Sequence, residues 1–439
     1  MRILSFTAGA GQMLCGSCIR DNALVRELRR RGHDVRLVPL YHATRTDEEN
    51  LAESRVRLGG ISLFLQHAAP FFGGLGALDP LLDSRRLLGL ASRLAPSTDP
   101  SQLGPLTVTM LQGSEGRARR AVERLCRSVT GERFDLVVLP NSLLLGLVAP
   151  LRAAVEAPVL VTFSGEDLFL SQLPDEDRDE AVGLMRHAAR GVNAFCGVTA
   201  YHAREMADLL GIPRSRAPVV RLGVDPEGFP DAPRPVDDVE VGAAVTIGFF
   251  SRIAPEKGLD RLAKAVRILA VEEETPPLRV AAAGWMARNH RSYLEEKVRQ
   301  RLRKADPPIP FDYEGVPDRA GKIAFLRRAD LVAIPASFPE PKGLPAIEAM
   351  MAGTPVVVPR EGAYPDLLDR TEGGILARSA APADFAAALG EMVRAPRRRR
   401  LVGARAFERA REAHSAARMA DDAEAVYAAA AASFRSRAA

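Results

Sequence analysis

At 439 residues the chain is longer than one ordinary core organises, so two domains are expected. Hydrophobic residues make up 47% and charged residues 26%, which excludes a disordered or fibrous chain, and no apolar run reaches the length of a membrane span. The net charge of +5 is small for this length and is carried almost wholly by arginine, with no lysine before Lys257, which gives no ground for nucleic-acid binding.

The opening segment 2–6 reads as a strand with no signal-peptide core before it, so a cytoplasmic protein is expected, with membrane contact at most peripheral. A glycine-rich loop follows, then a helix over 19–31 closed by Gly32, then a strand from Asp34. Residues 45–130 are irregular and apolar, with Gly/Pro breaks and a long helical stretch from about 106. Short buried strands resume at 135–139, 158–163 and 194–199, separated by helices. Near-continuous apolar strands alternating with helices indicate a parallel sheet covered on both faces.

The proline- and turn-rich segment 225–235 reads as a linker. A second alternation begins at 245–250, with later strands at 278–283, 331–334 and 355–358, before an alanine-rich helical tail. The expected architecture is α/β, with two doubly wound Rossmann-like domains facing across a cleft. Residues 1–232 form the first, with an insert over about 45–130, and 233–417 form the second. Ligands of such sheets sit beyond the carboxyl ends of the strands.

The richest stretch is Glu340-Pro-Lys-Gly-Leu-Pro-Ala-Ile-Glu348 with its sequel Ala-Met-Met-Ala-Gly-Thr-Pro-Val-Val-Val. Gly343 allows close backbone approach, Pro345 suits a first helical turn, and Glu348 is expected in that turn. Two carboxylates beside the unpaired N–H groups of a helix start suit a ligand that carries both hydroxyl pairs and phosphate. Glu348 could equally complement the helix dipole. Upstream, Ser251-Arg252-Ile-Ala-Pro-Glu-Lys257-Gly258 places two cations on one loop after a strand, where they could hold a diphosphate or stand as solvated charges.

In these segments the chain resembles the family 4 glycosyltransferases, a retaining, nucleotide-sugar-dependent class of GT-B fold. Arg30-Arg-Gly-His33-Asp-Val and Leu222-Gly-Val-Asp-Pro-Glu-Gly-Phe resemble two further landmarks, and the motifs keep the family's order over essentially the whole chain. The resemblance implies that Arg252 and Lys257 grip the donor diphosphate and that Glu348 binds the ribose. It implies that Glu340, with the backbone of Lys342, Gly343 and Leu344, holds the transferred sugar. Gly11 falls in the family's glycine turn near donor and acceptor, and a final helix over about 418–439 would return to the first domain. No cofactor and no metal are implied; the nucleoside diphosphate sugar is a co-substrate. The acceptor is not identified, and the apolar segment 58–105, with Phe64, Phe71 and Phe72, suits a lipid-linked or aromatic acceptor as well as a buried core.

Other features bear on competing functions. The loop Ala8-Gly9-Ala10-Gly11-Gln12-Met13 has Leu14 where a dinucleotide fingerprint needs its third glycine, and the second strand ends without an acidic residue, so an NAD or FAD enzyme is not expected. Cys15-Gly-Ser-Cys18 opens a helix and reads first as two small residues in a tight loop, with a redox pair or half a zinc site as rivals. Asp175-Glu-Asp177 follows Leu-Pro and reads as an acidic helix start, not a manganese site. Where many family members carry a histidine, this chain has Ser164 followed by Gly165-Glu166-Asp167, which makes Ser164 and Asp167 candidates for the acceptor or sugar side. The expected activity is therefore hexosyl-type transfer without metal. An epimerase or phosphorylase on the same fold, or a non-catalytic nucleotide-sugar-binding protein, is the alternative.

Overall fold

The computed structural model describes residues 1–9, 15–58, 103–237, 240 and 242–438. The chain divides into two compact units, Met1–Arg221 with Met419–Ala439, and Leu222–Arg418.

In the first unit, β1 (Arg2–Thr7), α1 (Gly16–Arg30) and β2 (Asp34–Pro39) form a parallel crossover, with Ile3 opposite Val35. After the described part of the 45–130 region come α2 (Gly104–Leu111), α3 (Arg119–Arg127), β3 (Leu136–Leu139) and α4 (Val148–Val155). Then follow β4 (Val159–Thr162), α5 (Glu166–Leu170), α6 (Asp175–Ala189), β5 (Ala194–Cys196) and α7 (Ala200–Leu210). The sheet order is β2-β1-β3-β4-β5, parallel throughout. Every residue of β3 is buried, as a central strand covered on both faces requires.

The second unit contains β6 (Val245–Phe250), α8 (Leu259–Leu269), β7 (Leu278–Ala283), a π-helical turn (Tyr293–Arg299) running into α9 (Gln300–Arg303), and β8 (Phe311–Tyr313). It continues with α10 (Arg319–Arg328), β9 (Leu331–Ala333), α11 (Leu344–Met351), β10 (Val356–Pro359), α12 (Tyr364–Thr371), β11 (Gly374–Ala377), α13 (Pro382–Val393) and α14 (Pro396–His414). The order β11-β10-β9-β6-β7-β8 is again all parallel. Leu262 and Val266 of α8 share a core with Phe385 and Leu389 of α13 beneath this sheet. The last helix, α15 (Ala416–Ala438), supplies the C-terminal part of the first unit, where Glu424 meets His33 at 2.7 Å and Asp422 pairs with Arg221 at 2.7 Å. No described helix is long and apolar enough to cross a membrane.

Three details differ from the sequence expectation. The helical stretch from 106 is two helices, broken by a 3-10 turn at Gly113–Glu115. Gly113 takes φ +58 there, and a Cβ on it would lie 2.2 Å from the Gly146 carbonyl, so the chain must turn where it meets that backbone. Strands β8 and β11 were not expected, because Phe-Asp-Tyr and Gly-Ile-Leu-Ala are short and occupy the two sheet edges. Glu348 lies beyond the first turn of α11, whose first turn carries no acid. Gly11 and most of segment 58–105, including Phe64, Phe71 and Phe72, lie outside the described residues.

Candidate functional site

The second sheet starts with β6 at its middle. Its chain continues to β7 and β8 on one side, then to β9, β10 and β11 on the other. The β6/β9 boundary is thus a topological switch point, where loops leaving the strands' carboxyl ends diverge and open a crevice. The two loops at this boundary are the ones that carry the sequence motifs.

These loops are stitched together. Gly258 takes φ +81, and a Cβ there would lie 1.9 Å from the Pro335 carbonyl oxygen, so only glycine permits the contact. The Ser337 N–H donates to the Glu256 carbonyl at 2.9 Å, and the Ser337 hydroxyl donates to the same oxygen. On the next turn, Gly362 (φ +63) passes so close to Glu340 that a Cβ would meet its backbone nitrogen at 2.6 Å, and the Ala363 N–H donates to the Glu340 carbonyl. Gly343 (φ +72) caps α11, with Pro345 in the helix's first positions, and a Cβ on Gly343 would press on Leu367 and Tyr364. Glu340 is therefore fixed from both sides along the backbone.

Lys257 and Glu340 meet at 2.9 Å, with Lys257 Nζ also 4.6 Å from the Phe338 ring centre. Burial alone would push the Glu340 carboxyl up. Lys257, with the Lys342 side chain and backbone N–H, outweighs that and holds it below the usual carboxylate range. Beside it the fully buried Tyr364 phenol is pushed well above its ordinary range by burial and by Glu340, and its hydroxyl finds no partner among the described residues. Arg252 stays about half exposed and reaches Glu256 at 3.3 Å. Glu348 is 3% exposed and takes a 2.7 Å ion pair from Lys322 of α10, itself 4% exposed. The site thus unites Lys257 with Glu340 as a direct pair and gives Glu348 a cation. The sequence reading did not identify Lys322, because a lysine on an ordinary helix carries no local signal of its partner.

The first unit holds a second polar cluster at the carboxyl ends of β3 and β4. Glu166 accepts from the Ser142 and Ser164 backbone N–H groups, each at 2.6 Å, and so ties the two strand exits together. The Ser164 hydroxyl donates to the Pro140 carbonyl at 2.7 Å and accepts from Arg20 at 2.9 Å. Arg20 in turn grips Asp21 at 2.6 Å, both being buried. Asp167 pairs with His202 at 3.2 Å; that partner and the backbone N–H groups hold its carboxyl below the usual range against the opposing effect of burial. Ser164 and Asp167 thus each have a protein partner. Sequence reasoning missed Arg20, since a buried charge on a helix leaves no periodic trace; Glu166 stands in the Ser164–Asp167 segment with no role assigned, and His202 reads as a structural histidine on a helix.

The Cys18 thiol is raised by its hydrogen bond to Cys15, by burial and by nearby negative charge, and both cysteines are free thiols. Asp175, Glu176 and Asp177 form the first turn of α6 behind Pro174 at the N-cap, with Asp175 paired to Arg178 at 2.9 Å. No group of three His, Cys, Asp or Glu side chains suited to a metal ion occurs among the described residues.

Residues 240–409 match the family model described as glycosyl transferases group 1, and residues 20–223 match that described as a glycosyl transferase 4-like domain. Among curated relatives, D-inositol 3-phosphate glycosyltransferase of Nocardia farcinica is 32% identical over 228 residues, covering 48% of this chain and 47% of the relative. That of Stackebrandtia nassauensis is 34% identical over 215 residues, 46% of this chain and 47% of the relative. The chain spans about half the length of these relatives in the match. Among solved structures, Anabaena HepE in complex with UDP and glucose aligns with a TM-score of 0.62 at 18% identity, over 98% of this chain and 100% of that one. Sucrose-phosphate synthase from Thermosynechococcus elongatus aligns at 0.65 and 14%, over 98% and 99%. At those identities the likeness is one of fold.

Two outcomes follow from the ion pairs. Because the Glu340 carboxyl is held below its ordinary range, its contribution to stability is complete above about pH 4.3, the unperturbed glutamate value, and is lost as pH falls through the lower folded value. Glu340→Gln should cost about 3 kcal/mol near pH 7, and the gap to wild type should shrink toward pH 3 in urea melts. A gap independent of pH would show that the carboxylate charge is not what stabilises the loop. Lys322→Met removes the cation paired with the buried Glu348 carboxylate and should cost about 3 kcal/mol, whereas Lys322→Met with Glu348→Gln should recover part of that loss. Additive losses in this double-mutant cycle would rule out direct coupling.

Proposed function

The chain belongs to the group 1 glycosyltransferases of the GT-B fold, and from that premise we propose that it moves a sugar from a nucleoside diphosphate to a hydroxyl acceptor with retention of configuration. The observation that carries the reading is the Lys257–Glu340 pair at the β6/β9 switch point, a cation and a carboxylate on two loops joined by the Gly258–Pro335 contact.

Each side chain then has a task. Arg252, half exposed, and Lys257 take the diphosphate and offset the charge it gains on departure. Glu348 accepts hydrogen bonds from the ribose hydroxyls. A carboxylate has about four lone-pair positions, so the Lys322 contact is compatible with that role. Glu340, with the backbone of Lys342 to Leu344 at the start of α11, orients the transferred sugar. The bond between the anomeric carbon and the diphosphate oxygen breaks as the acceptor oxygen attacks from the same face. The acceptor's proton passes to the leaving phosphate oxygen, so no separate protein base is needed. Catalysis is positioning and electrostatics, with no metal in the scheme. The names of the sequence relatives make a phosphorylated cyclitol the first acceptor to try, and the UDP held by a structural neighbour makes UDP-sugars the first donors.

A thermal-shift panel of UDP-, GDP- and ADP-sugars identifies the donor, since a ligand at 100 times its dissociation constant stabilises by about 2.7 kcal/mol. With that donor, Arg252→Ala and Lys257→Ala should each lower turnover about a hundredfold, the loss of roughly 3 kcal/mol of charge stabilisation. Ser164→Ala removes a hydroxyl held by Arg20 and the Pro140 carbonyl and should lower stability by about 1 kcal/mol with turnover nearly intact. A Ser164→Ala enzyme more impaired in turnover than Arg252→Ala would move the reacting centre to the Ser164–Asp167 loop and overturn these roles.

A further inference from the structure

At the amino-terminal edge of the first sheet, opposite the strand ends just described, lies a cavity of about 320 Å³. It is lined by Arg152 of α4, Arg190, Gly191, Val192 and Asn193 before β5, Arg216 after α7, and Ala430, Ser433 and Arg437 of α15. Four of its lining side chains are guanidiniums and none is a carboxylate.

Two of these cations are fixed by neutral acceptors. Arg152 donates to the Gly191 carbonyl and to Asn193 Oδ1, whose oxygen also receives the Val159 N–H at the start of β4. Arg216 donates to the Ala189 and Val192 carbonyls and lies over the Phe195 ring. The other two, Arg190 and Arg437, are exposed and make no side-chain hydrogen bond or ion pair among the described residues. Holding the 189–193 turn explains Arg152 and Arg216, but it leaves the convergence of Arg190 and Arg437 on the same cavity unaccounted for. Like charges gathered without a counter-charge repel, and a bound anion relieves that repulsion. The Arg152 guanidinium registers this, since burial and then Arg437 hold it below its ordinary range. Guanidinium forks match tetrahedral oxyanions with paired donors, and the volume suits a group the size of a diphosphate or a sugar phosphate.

We propose that this cavity is a binding site for a small phosphate-bearing anion, gripped by Arg152 and Arg216 from fixed positions and closed over by Arg190 and Arg437. Its chemistry is that of a phosphate monoester or diphosphate, whether carried by a soluble metabolite or by a lipid headgroup. It is separate from the donor diphosphate contact proposed at Arg252 and Lys257, which lies in the other unit.

The test compares wild type with Arg190→Gln/Arg437→Gln, two exposed positions whose exchange leaves the sheet untouched. Inorganic pyrophosphate is titrated calorimetrically at constant ionic strength. The same two proteins are sedimented with phosphatidylcholine vesicles and with phosphatidylcholine/phosphatidic acid vesicles, whose anionic lipid carries a phosphate monoester. The expected result is that the double variant loses one equivalent of pyrophosphate, or weakens it at least about tenfold, while its UDP affinity and melting temperature match wild type. Retention of wild type alone on the anionic vesicles, without pyrophosphate binding, would assign the site to a lipid phosphate and also sustain the proposal. Pyrophosphate and vesicle binding that are absent in wild type, or that the double variant keeps in full, would overturn it.

Discussion

The approach of Gly258 to the Pro335 carbonyl is the constraint on which the rest of the second unit's site depends. At 1.9 Å from a hypothetical Cβ, that carbonyl admits no side chain, and a backbone at φ +81 favours glycine independently. The contact sets the loop after β6 against the loop after β9. It delivers Lys257 to Glu340, and the Glu256 carbonyl to Ser337. A parallel sheet that reverses its winding at β6/β9 creates the opening; a missing Cβ decides how its two lips are spaced.

Three of the buried glutamates are put to different ends by the same chemistry. Glu340 is kept ionised by Lys257 and by the Lys342 N–H, although burial opposes its charge. Glu348 is answered by Lys322 across two helices. Glu166 accepts from the Ser142 and Ser164 amides, and so pins the exits of neighbouring strands β3 and β4. A carboxylate with two oxygens is a bracket as readily as a ligand-binding group. Which it becomes depends on whether its partners are backbone amides or a single cation at the rim of a crevice.

Much of this was readable in the chain. Strands β3 and β10 appear in the sequence as continuous hydrophobic stretches, and β6 and β7 as nearly continuous ones interrupted by Thr246 and Arg279, because a parallel strand inside the sheet is covered on both faces. Gly343 and Pro345 announced a helix start, and α11 begins at Leu344. What stayed hidden has a common cause. Lys322 and His202 meet Glu348 and Asp167 by tertiary approach, as Arg20 meets Ser164 and the Pro140 carbonyl, and nothing within a few residues encodes those contacts. Edge strands β8 and β11 are short and only partly buried, so their pattern merges with the surrounding turns. Gly113 breaks the helical stretch because it packs on the Gly146 backbone, a contact that no local pattern encodes.

The lysine distribution carries a practical consequence. Every lysine, Lys257, Lys264, Lys297, Lys304, Lys322 and Lys342, falls in Leu222–Arg418, so the first unit is built with arginine as its only side-chain cation apart from histidine. To reagents that acylate amines, residues 1–221 and 419–439 offer no lysine, while arginine is inert to them. Within the second unit, Lys322 is sealed against Glu348 and Lys257 is drawn onto Glu340, whereas Lys264 remains nearly half exposed. Amine labelling of this molecule is therefore a local gauge: the ratio of slow Lys257 and Lys322 to fast Lys264 reports on the loops of one crevice, read against a first unit that contributes almost no background.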